Sequence, residues 1–236
     1  MQRVSNAVSD SKPQAHLTGE FFSDLLPEAL ADLMSIEHKS SHSSGVALFS
    51  EGDTPSGVFV VIEGEVKLSI NSSDGRSLTL RIAKKGEILG LVSTMSGNPC
   101  EMTGETLYPT RIASISRREF LAFLGRHPES YKSVTEELGR QIGLACDQLR
   151  RVGLSPSAPA KLARLLIDWS KNGQATEAGT KFRVSLTHGQ IGEFIGTSRE
   201  TVTRTLGTFK SRHLVDFHGS SLIIPNRAAL ENFACC

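Results

Sequence analysis

Leu186-Thr187-His188-Gly189-Gln190-Ile191-Gly192-Glu193-Phe194-Ile195-Gly196-Thr197-Ser198-Arg199-Glu200-Thr201-Val202-Thr203-Arg204 reads as helix, tight turn, helix. Thr187-His188-Gly189-Gln190 fits the S/T-x-x-E/Q capping box that opens a helix, and Thr197-Ser198-Arg199-Glu200 fits it again. Gly196 stands between them, where a tight turn needs a permissive backbone. Ile191, Ile195, Val202, Leu206 and Phe209 fall on the faces that would turn inward. Arg199, Glu200, Thr203, Arg204 and Gly207 recur at helical spacing on the opposite face. Arginine can grip guanine O6 and N7 with two donors, and glutamate can accept from cytosine N4. Helix N-termini and Thr or Ser hydroxyls can hold phosphates. The candidate DNA-binding residues are therefore Thr187, Gln190, Ser198, Arg199, Glu200, Thr203 and Arg204. An Arg-Glu pair also decorates many solvated helices, so the weight rests on caps, turn and spacing together.

The surroundings fit. The chain of 236 residues carries a net charge of +1. From Ser155 onward there are 10 Lys/Arg against 6 Asp/Glu, a net +4, whereas residues 1–154 hold 16 against 19, a net −3. The basic excess centres on residues 181–212, where it suits a polyanionic partner. Leu214-Val215-Asp216-Phe217, the turn His218-Gly219-Ser220-Ser221 and Leu222-Ile223-Ile224 read as a β-hairpin, or wing, after the helix pair.

Moving toward the N-terminus, residues 171–180 read as a polar Gly/Thr loop and Lys161 to Ser170 as an amphipathic helix. Ser155-Pro156-Ser157-Ala158-Pro159 breaks the chain and reads as an interdomain hinge. Before it, a long helix is expected from about Pro128, with a seam at Val134, Leu138, Gln141, Ala145, Gln148 or Leu149, and Val152. At 1.5 Å per residue it spans ~37 Å, more than a small barrel can cover, which favours a dimer seam over packing on its own chain.

Between Val46 and Ile115 the period changes to that of short strands: 46–49, 58–62, 66–70, 78–82 and 112–115. Turn signals such as Glu51-Gly52-Asp53 and Ser73-Asp74-Gly75 separate them, implying a small antiparallel barrel or sandwich. Residues 21–36 fit one or two short helices, and residues 1–16 read as a polar, mobile segment.

Several classes fall away. The N-terminus has no apolar signal-peptide core, and no uncharged apolar run approaches the ~18 residues of a membrane span. The expectation is a soluble, cytoplasmic protein without a membrane partner. Cys100, Cys146, Cys235 and Cys236 form no CxxC and no zinc spacing, so free thiols and no metal site are expected, with Cys235-Cys236 as a mobile tail. The sequence has no Walker loop, GxSxG or HExxH, and no catalytic residue or enzyme activity is expected.

The run Ile-Gly-x-x-Ile-Gly-x-Ser-Arg-Glu-Thr-Val-x-Arg at 191–204 resembles the C-terminal domain of the cyclic AMP receptor protein family of bacterial regulators, the Crp/Fnr superfamily. The resemblance continues through Leu48-Phe49-Ser50-Glu51-Gly52-Asp53, residues 59–68 and Gly86-Glu87-Ile88-Leu89-Gly90, which look like that family's β-roll sensor. It implies an α+β protein: an N-terminal antiparallel β-roll of the cyclic-nucleotide-binding type over 17–127, a long dimerisation helix over 128–154, and a C-terminal winged helix-turn-helix over 155–236. It also implies a homodimer with one recognition helix in each of two major grooves ~34 Å apart. Arg199, Glu200 and Arg204 stand where the family reads bases, which implies a palindrome with a GTGA-like half-site. The resemblance further implies RNA polymerase as a partner, with 171–180 where family members can touch it.

The sensor departs from the pattern. Members that bind cyclic nucleotides hold the ribose with Gly-Glu and the phosphate with Arg-Ser or Arg-Thr some residues later. Here Gly90 is followed by Leu91, and the arginine register falls at Cys100 or Glu101. A buried phosphate needs cationic donors, which neither side chain supplies. Gly90, Leu91, Ser93, Cys100 and Glu101 are the candidate pocket residues, and the effector is expected not to be cyclic AMP or cyclic GMP. The iron–sulfur chemistry of the oxygen-sensing branch needs N-terminal cysteines, and none precedes Cys100. Cys100 and His127 match haem ligands by type alone, so no cofactor is expected; Cys100 is a redox thiol only if its pKa is low. The alternative reading is a β-roll ligand-binding protein whose helix pair docks a partner instead of DNA.

Overall fold

The computed structural model describes residues 17–155, 157–219 and 221–235. The N-terminal segment 1–16, Pro156 of the hinge, Ser220 of the wing turn and Cys236 lie outside the described residues.

Two short helices, α1 (Glu20–Ser23) and α2 (Pro27–Ser35), precede eight strands: β1 (His38–His42), β2 (Ala47–Phe49), β3 (Gly57–Glu63), β4 (Val66–Asn71), β5 (Ser77–Ala83), β6 (Ile88–Leu89), β7 (Thr103–Thr106) and β8 (Thr110–Ser116). They form two four-stranded antiparallel sheets, ordered β1-β8-β3-β6 and β2-β7-β4-β5. The central strand explains the arrangement. Val58, Val60 and Ile62 pack with Leu33, Phe120, Phe123 and Leu124, while Phe59 and Val61 join Leu68, Leu89 and Ile112. Successive side chains thus serve two apolar clusters, and β3 is an unbroken apolar run because both its faces are covered.

Three strands of these two sheets escape the sequence reading. β1, His-Lys-Ser-Ser-His, is an exposed edge strand with no apolar alternation to reveal it. β6 has two residues. β7, Thr-Gly-Glu-Thr, is polar yet central, pairing with both β2 and β4. Its Gly104 admits the Phe49 ring: a Cβ there would lie 2.6 Å from Phe49 Cζ.

After α3 (Leu91–Ser96), helix α4 (Arg117–Arg126) and a 3₁₀ turn lead into α5 (Tyr131–Gly153), a 23-residue helix ~35 Å long. The predicted seam divides between two faces. Val134 and Gln148 are buried against their own chain, and Gln141 donates to Ile88 O at 3.3 Å. Leu149, and Ile142 outside the predicted seam, instead stand 67% and 66% exposed, one heptad apart. The helix therefore carries an intramolecular face and, beside it, an apolar stripe without cover among the described residues.

The C-terminal part contains α6 (Ala158–Ser170), β9 (Gln174–Thr176), β10 (Gly179–Arg183), α7 (His188–Ile195), α8 (Arg199–Ser211), β11 (Asp216–His218), β12 (Ser221–Ile224) and α9 (Arg227–Cys235). Its sheet runs β11-β12-β10-β9. Residues 171–180 are thus not a loop but hold β9 and the start of β10; β9 is fully exposed, so no apolar pattern marks it. Cys235 closes helix α9 instead of a loose tail, because Leu230 anchors that helix in the core with Leu162, Leu166 and Phe209. No described helix is long and apolar enough to cross a membrane.

Candidate nucleic-acid interface and ligand cavity

Helix α7 begins as the sequence requires. Thr187 Oγ1 accepts from Gln190 N at 3.2 Å, and Gln190 Oε1 accepts from Thr187 N at 2.9 Å, a complete capping box. It ends at Gly196, which is left-handed with φ 64°. Gly192 has a different role. The chain folds back so tightly that Thr197 N donates to Gly192 O at 2.9 Å, and a Cβ on Gly192 would lie 2.6 Å from Thr197 O.

The second capping box does not form. Ser198, one residue later than expected, caps α8 by accepting from Thr201 N at 3.2 Å. The turn consumes Thr197 in closing on Gly192, so Glu200 falls in the first helical turn instead of the reciprocating position. There its own backbone amide, then the Ser198 hydroxyl, hold the carboxyl below its ordinary pKa.

The two faces of α8 separate cleanly. Val202, Leu206 and Phe209 are buried in one cluster with Ile191 and Ile195. Arg199, Glu200, Thr203, Arg204 and Gly207 are exposed. The side chains of Arg199 and Arg204 make no hydrogen bond or ion pair among the described residues, leaving both guanidinium groups free for a ligand. The hydroxyls are more committed. Thr203 Oγ1 donates to Arg199 O at 2.9 Å and lies 2.8 Å from His188 Nδ1, an arrangement satisfied when Nδ1 carries the ring proton. Thr187 and Ser198 are engaged as caps, so they supply oriented helix N-termini more than free hydroxyls. His188 is the positioning residue the sequence reading missed; its place inside the Thr187–Gln190 box was the available signal.

This helix pair is joined to the β-roll. Buried Gln148 of α5 donates from Nε2 to Thr79 O on β5 and to Phe194 O on α7, each at 2.8 Å. Glu193 accepts from Lys67 Nζ at 3.2 Å and from Thr79 Oγ1 at 3.3 Å.

The pocket candidates do not meet at one surface. Gly90 and Glu101 line a cavity of about 50 Å³ between the β-roll and α5, together with Phe49, Met102, Gln141 and Ala145. Leu91, Ser93 and Cys100 do not line it: all three are buried, with Cys100 Sγ 3.7 Å from Ser93 Oγ. Small-molecule sites commonly measure ~300–1,000 Å³, so this space is far too small for a nucleotide. An arginine does reach it, Arg81 of β5, which the linear register could not reveal. Its guanidinium is bound to Glu87, and Glu101 adds a second carboxylate to the region.

A β-roll joined by a long helix to a winged helix-turn-helix with a free arginine row defines a Crp-like transcription regulator. Comparison with known proteins agrees. Residues 160–233 match the Crp-like helix-turn-helix domain, and residues 40–127 match the cyclic nucleotide-binding domain. The transcriptional activatory protein AadR of Rhodopseudomonas palustris is 30% identical over 171 residues, covering 72% of this chain and 70% of that protein. A CRP-like cAMP-activated global transcriptional regulator of Mycobacterium tuberculosis is 25% identical over 215 residues, covering 90% and 95%. Among solved structures, the c-di-GMP-responsive regulator CLP of Xanthomonas campestris shares the fold with a TM-score of 0.74 at 19% identity, covering 84% of this chain and 99% of that one. The chain belongs to the Crp/Fnr superfamily of bacterial transcription regulators. That membership disfavours the reading of the helix pair as a mere partner-docking element.

Proposed function

We propose that this protein regulates transcription as a homodimer that reads a palindromic promoter element with GTGA-like half-sites, under an effector other than cyclic AMP. The carrying observation is the exposed row Arg199, Glu200 and Arg204 on a helix whose other face is buried at Val202, Leu206 and Phe209. Arg199 and Arg204 would each take a guanine edge, and Glu200, kept ionised at the helix start, would accept from a cytosine amine. Thr187, Gln190 and Ser198 would set the two helix N-termini against phosphates, with Thr203 held between them.

The dimer reading rests on Ile142 and Leu149, whose exposure on one stripe of α5 suits a second copy of the same helix. In this reading residues 17–127 sense, 128–154 dimerise and 155–236 bind DNA. A signal would move α5 against its neighbours and shift the population of dimers whose recognition helices match groove spacing. The Gln148 fork and the Lys67–Glu193 pair are the contacts such a movement must break or keep. The β9–β10 hairpin is the surface offered to RNA polymerase.

The M. tuberculosis relative is described as cAMP-activated. Against the same effector here stand the 50 Å³ cavity, Arg81 already committed to Glu87, and Glu101 at the cavity wall. Isothermal titration tests this: the expectation is no cyclic AMP binding at micromolar concentration. Selection of bound duplexes from a random pool, with and without a cell extract, tests the rest. A palindrome enriched only with extract supports an effector-dependent dimer, and unenriched sequence defeats the proposal.

A further inference from the structure

A second cavity, of about 300 Å³, opens where the sensor, helix α5 and the DNA-binding part meet. Its size reaches the lower end of small-molecule sites, which the barrel cavity does not. Trp169 forms one wall, standing edge-on to Phe194 with centroids 5.9 Å apart, and Tyr108 forms another, its hydroxyl donating to Ser185 O at 3.1 Å. Leu80, Ile82, Leu144 and Val184 complete an apolar lining.

The charges at its rim are unequally satisfied. Arg81 is bound to Glu87, Arg151 to Asp168 at 3.0 Å, and Asp147 to Arg150 at 2.8 Å. Lys84 and Arg183 have no ion-pair partner among the described residues, and both are exposed at the mouth. Glu65 is the one lining carboxylate without an ion pair among the described residues. The cleft therefore offers aromatic and aliphatic walls below and a surplus of cationic donors above. That combination suits a flat apolar body carrying an anionic group.

We propose that this interdomain cleft is an effector site for a planar aromatic anion of mononucleotide size, replacing the closed cavity of the β-roll. The ring would lie against Trp169 and Tyr108, and the anionic group would meet Lys84 and Arg183. Because Lys84 belongs to the sensor and Trp169 and Arg183 to the DNA-binding part, occupancy ties the two at one chosen separation. A ligand shifts the DNA-competent population only through such a difference in affinity between arrangements. The inference rests on the reading of this protein as an effector-controlled regulator, but binding can be followed without DNA.

Trp169 is the chain's single tryptophan, so intrinsic fluorescence reports on the cleft directly. The full-length protein is titrated separately with adenosine 5′-monophosphate, benzoate, adenosine and inorganic phosphate. The expected result is a saturable emission change with at least one aromatic anion, nucleotide or carboxylate, and none with adenosine or phosphate. Arg183→Ala and Lys84→Ala should each weaken that response by about tenfold, the scale of one charged contact, while Arg183→Lys restores part of it. Circular dichroism checks that each variant is folded. An unchanged titration in the folded double variant, an equal response to adenosine, or no response to any probe at millimolar concentration overturns the site. A gel shift on the same samples separates the outcomes: promoter binding without a Trp169 response defeats the cleft and leaves the DNA-binding reading standing.

Discussion

Glu193 accepts the Lys67 ammonium at 3.2 Å, so the first helix of the helix-turn-helix pair is ion-paired to a strand of the β-roll. Both groups are part-buried, at 13% exposure for Lys67 and 31% for Glu193, and Thr79 adds a hydroxyl to the same carboxylate. Lys67→Ala should loosen this docking by about 1 kcal/mol, more than a freely solvated pair is worth. Hydrogen exchange is expected to accelerate in α7 and β5 while the interior of β3 stays protected. Equal exchange in variant and parent would show that the pair holds nothing.

The turn of the helix pair depends on a missing methyl group. Gly192→Ala would place Cβ 2.6 Å from the Thr197 carbonyl oxygen, a backbone atom that cannot swing aside. The turn must open, at a cost of about 1–3 kcal/mol. Thermal melting should fall by several degrees, and DNA affinity should fall with it because Ser198 and Arg199 follow directly. Gly189→Ala is the control, since its nearest neighbour would be an ordinary 3.8 Å away.

The exposed stripe of α5 makes a prediction about assembly. Ile142→Glu and Leu149→Glu each put a charge where an apolar contact is expected, 66% and 67% exposed in the single chain. Sedimentation should shift from dimer to monomer, and the monomer should retain its circular dichroism. A parent that is monomeric at working concentration, or a variant that stays dimeric, contradicts the seam.

Asp32 carries a pH dependence with a definite sign. The Arg126 guanidinium, assisted by His127, holds the Asp32 carboxyl below its ordinary value near 3.8, against a smaller opposing effect of burial. A depressed carboxyl contributes stability above its unfolded pKa and loses it as pH falls through the folded one. Asp32→Asn should therefore destabilise at neutral pH, by no more than about 1 kcal/mol because the ion pair meets solvent. The gap between variant and parent should close as the pH drops below the ordinary carboxylate range. A gap that persists in acid would place the cost in packing instead of charge.

What the sequence disclosed followed burial. The helix pair was legible because Ile191, Ile195, Val202, Leu206 and Phe209 are all buried while the arginine row is not. β3 was legible because its apolar residues serve both clusters, and β4 because Val66 and Leu68 enter the second. β1, β7 and β9 were hidden because their partners hold them through backbone pairing, with few apolar side chains to give a period. The shift of the second cap from Thr197 to Ser198 is a matter of one hydrogen bond to Gly192, which spacing alone does not resolve. The split of α5 into two faces was equally invisible, since Gln148 looks like a polar interruption until Thr79 and Phe194 are brought to it.

Fluorescence anisotropy with the parent protein, Arg199→Ala and Arg204→Ala, on a GTGA-containing palindrome and a scrambled duplex at fixed salt, tests the central claim most directly. The parent should prefer the palindrome, and each substitution should cost about 1–3 kcal/mol on it while affecting the scrambled duplex far less. If all three proteins bind both duplexes alike, Arg199 and Arg204 do not read bases and the assignment of α8 as the recognition helix is wrong.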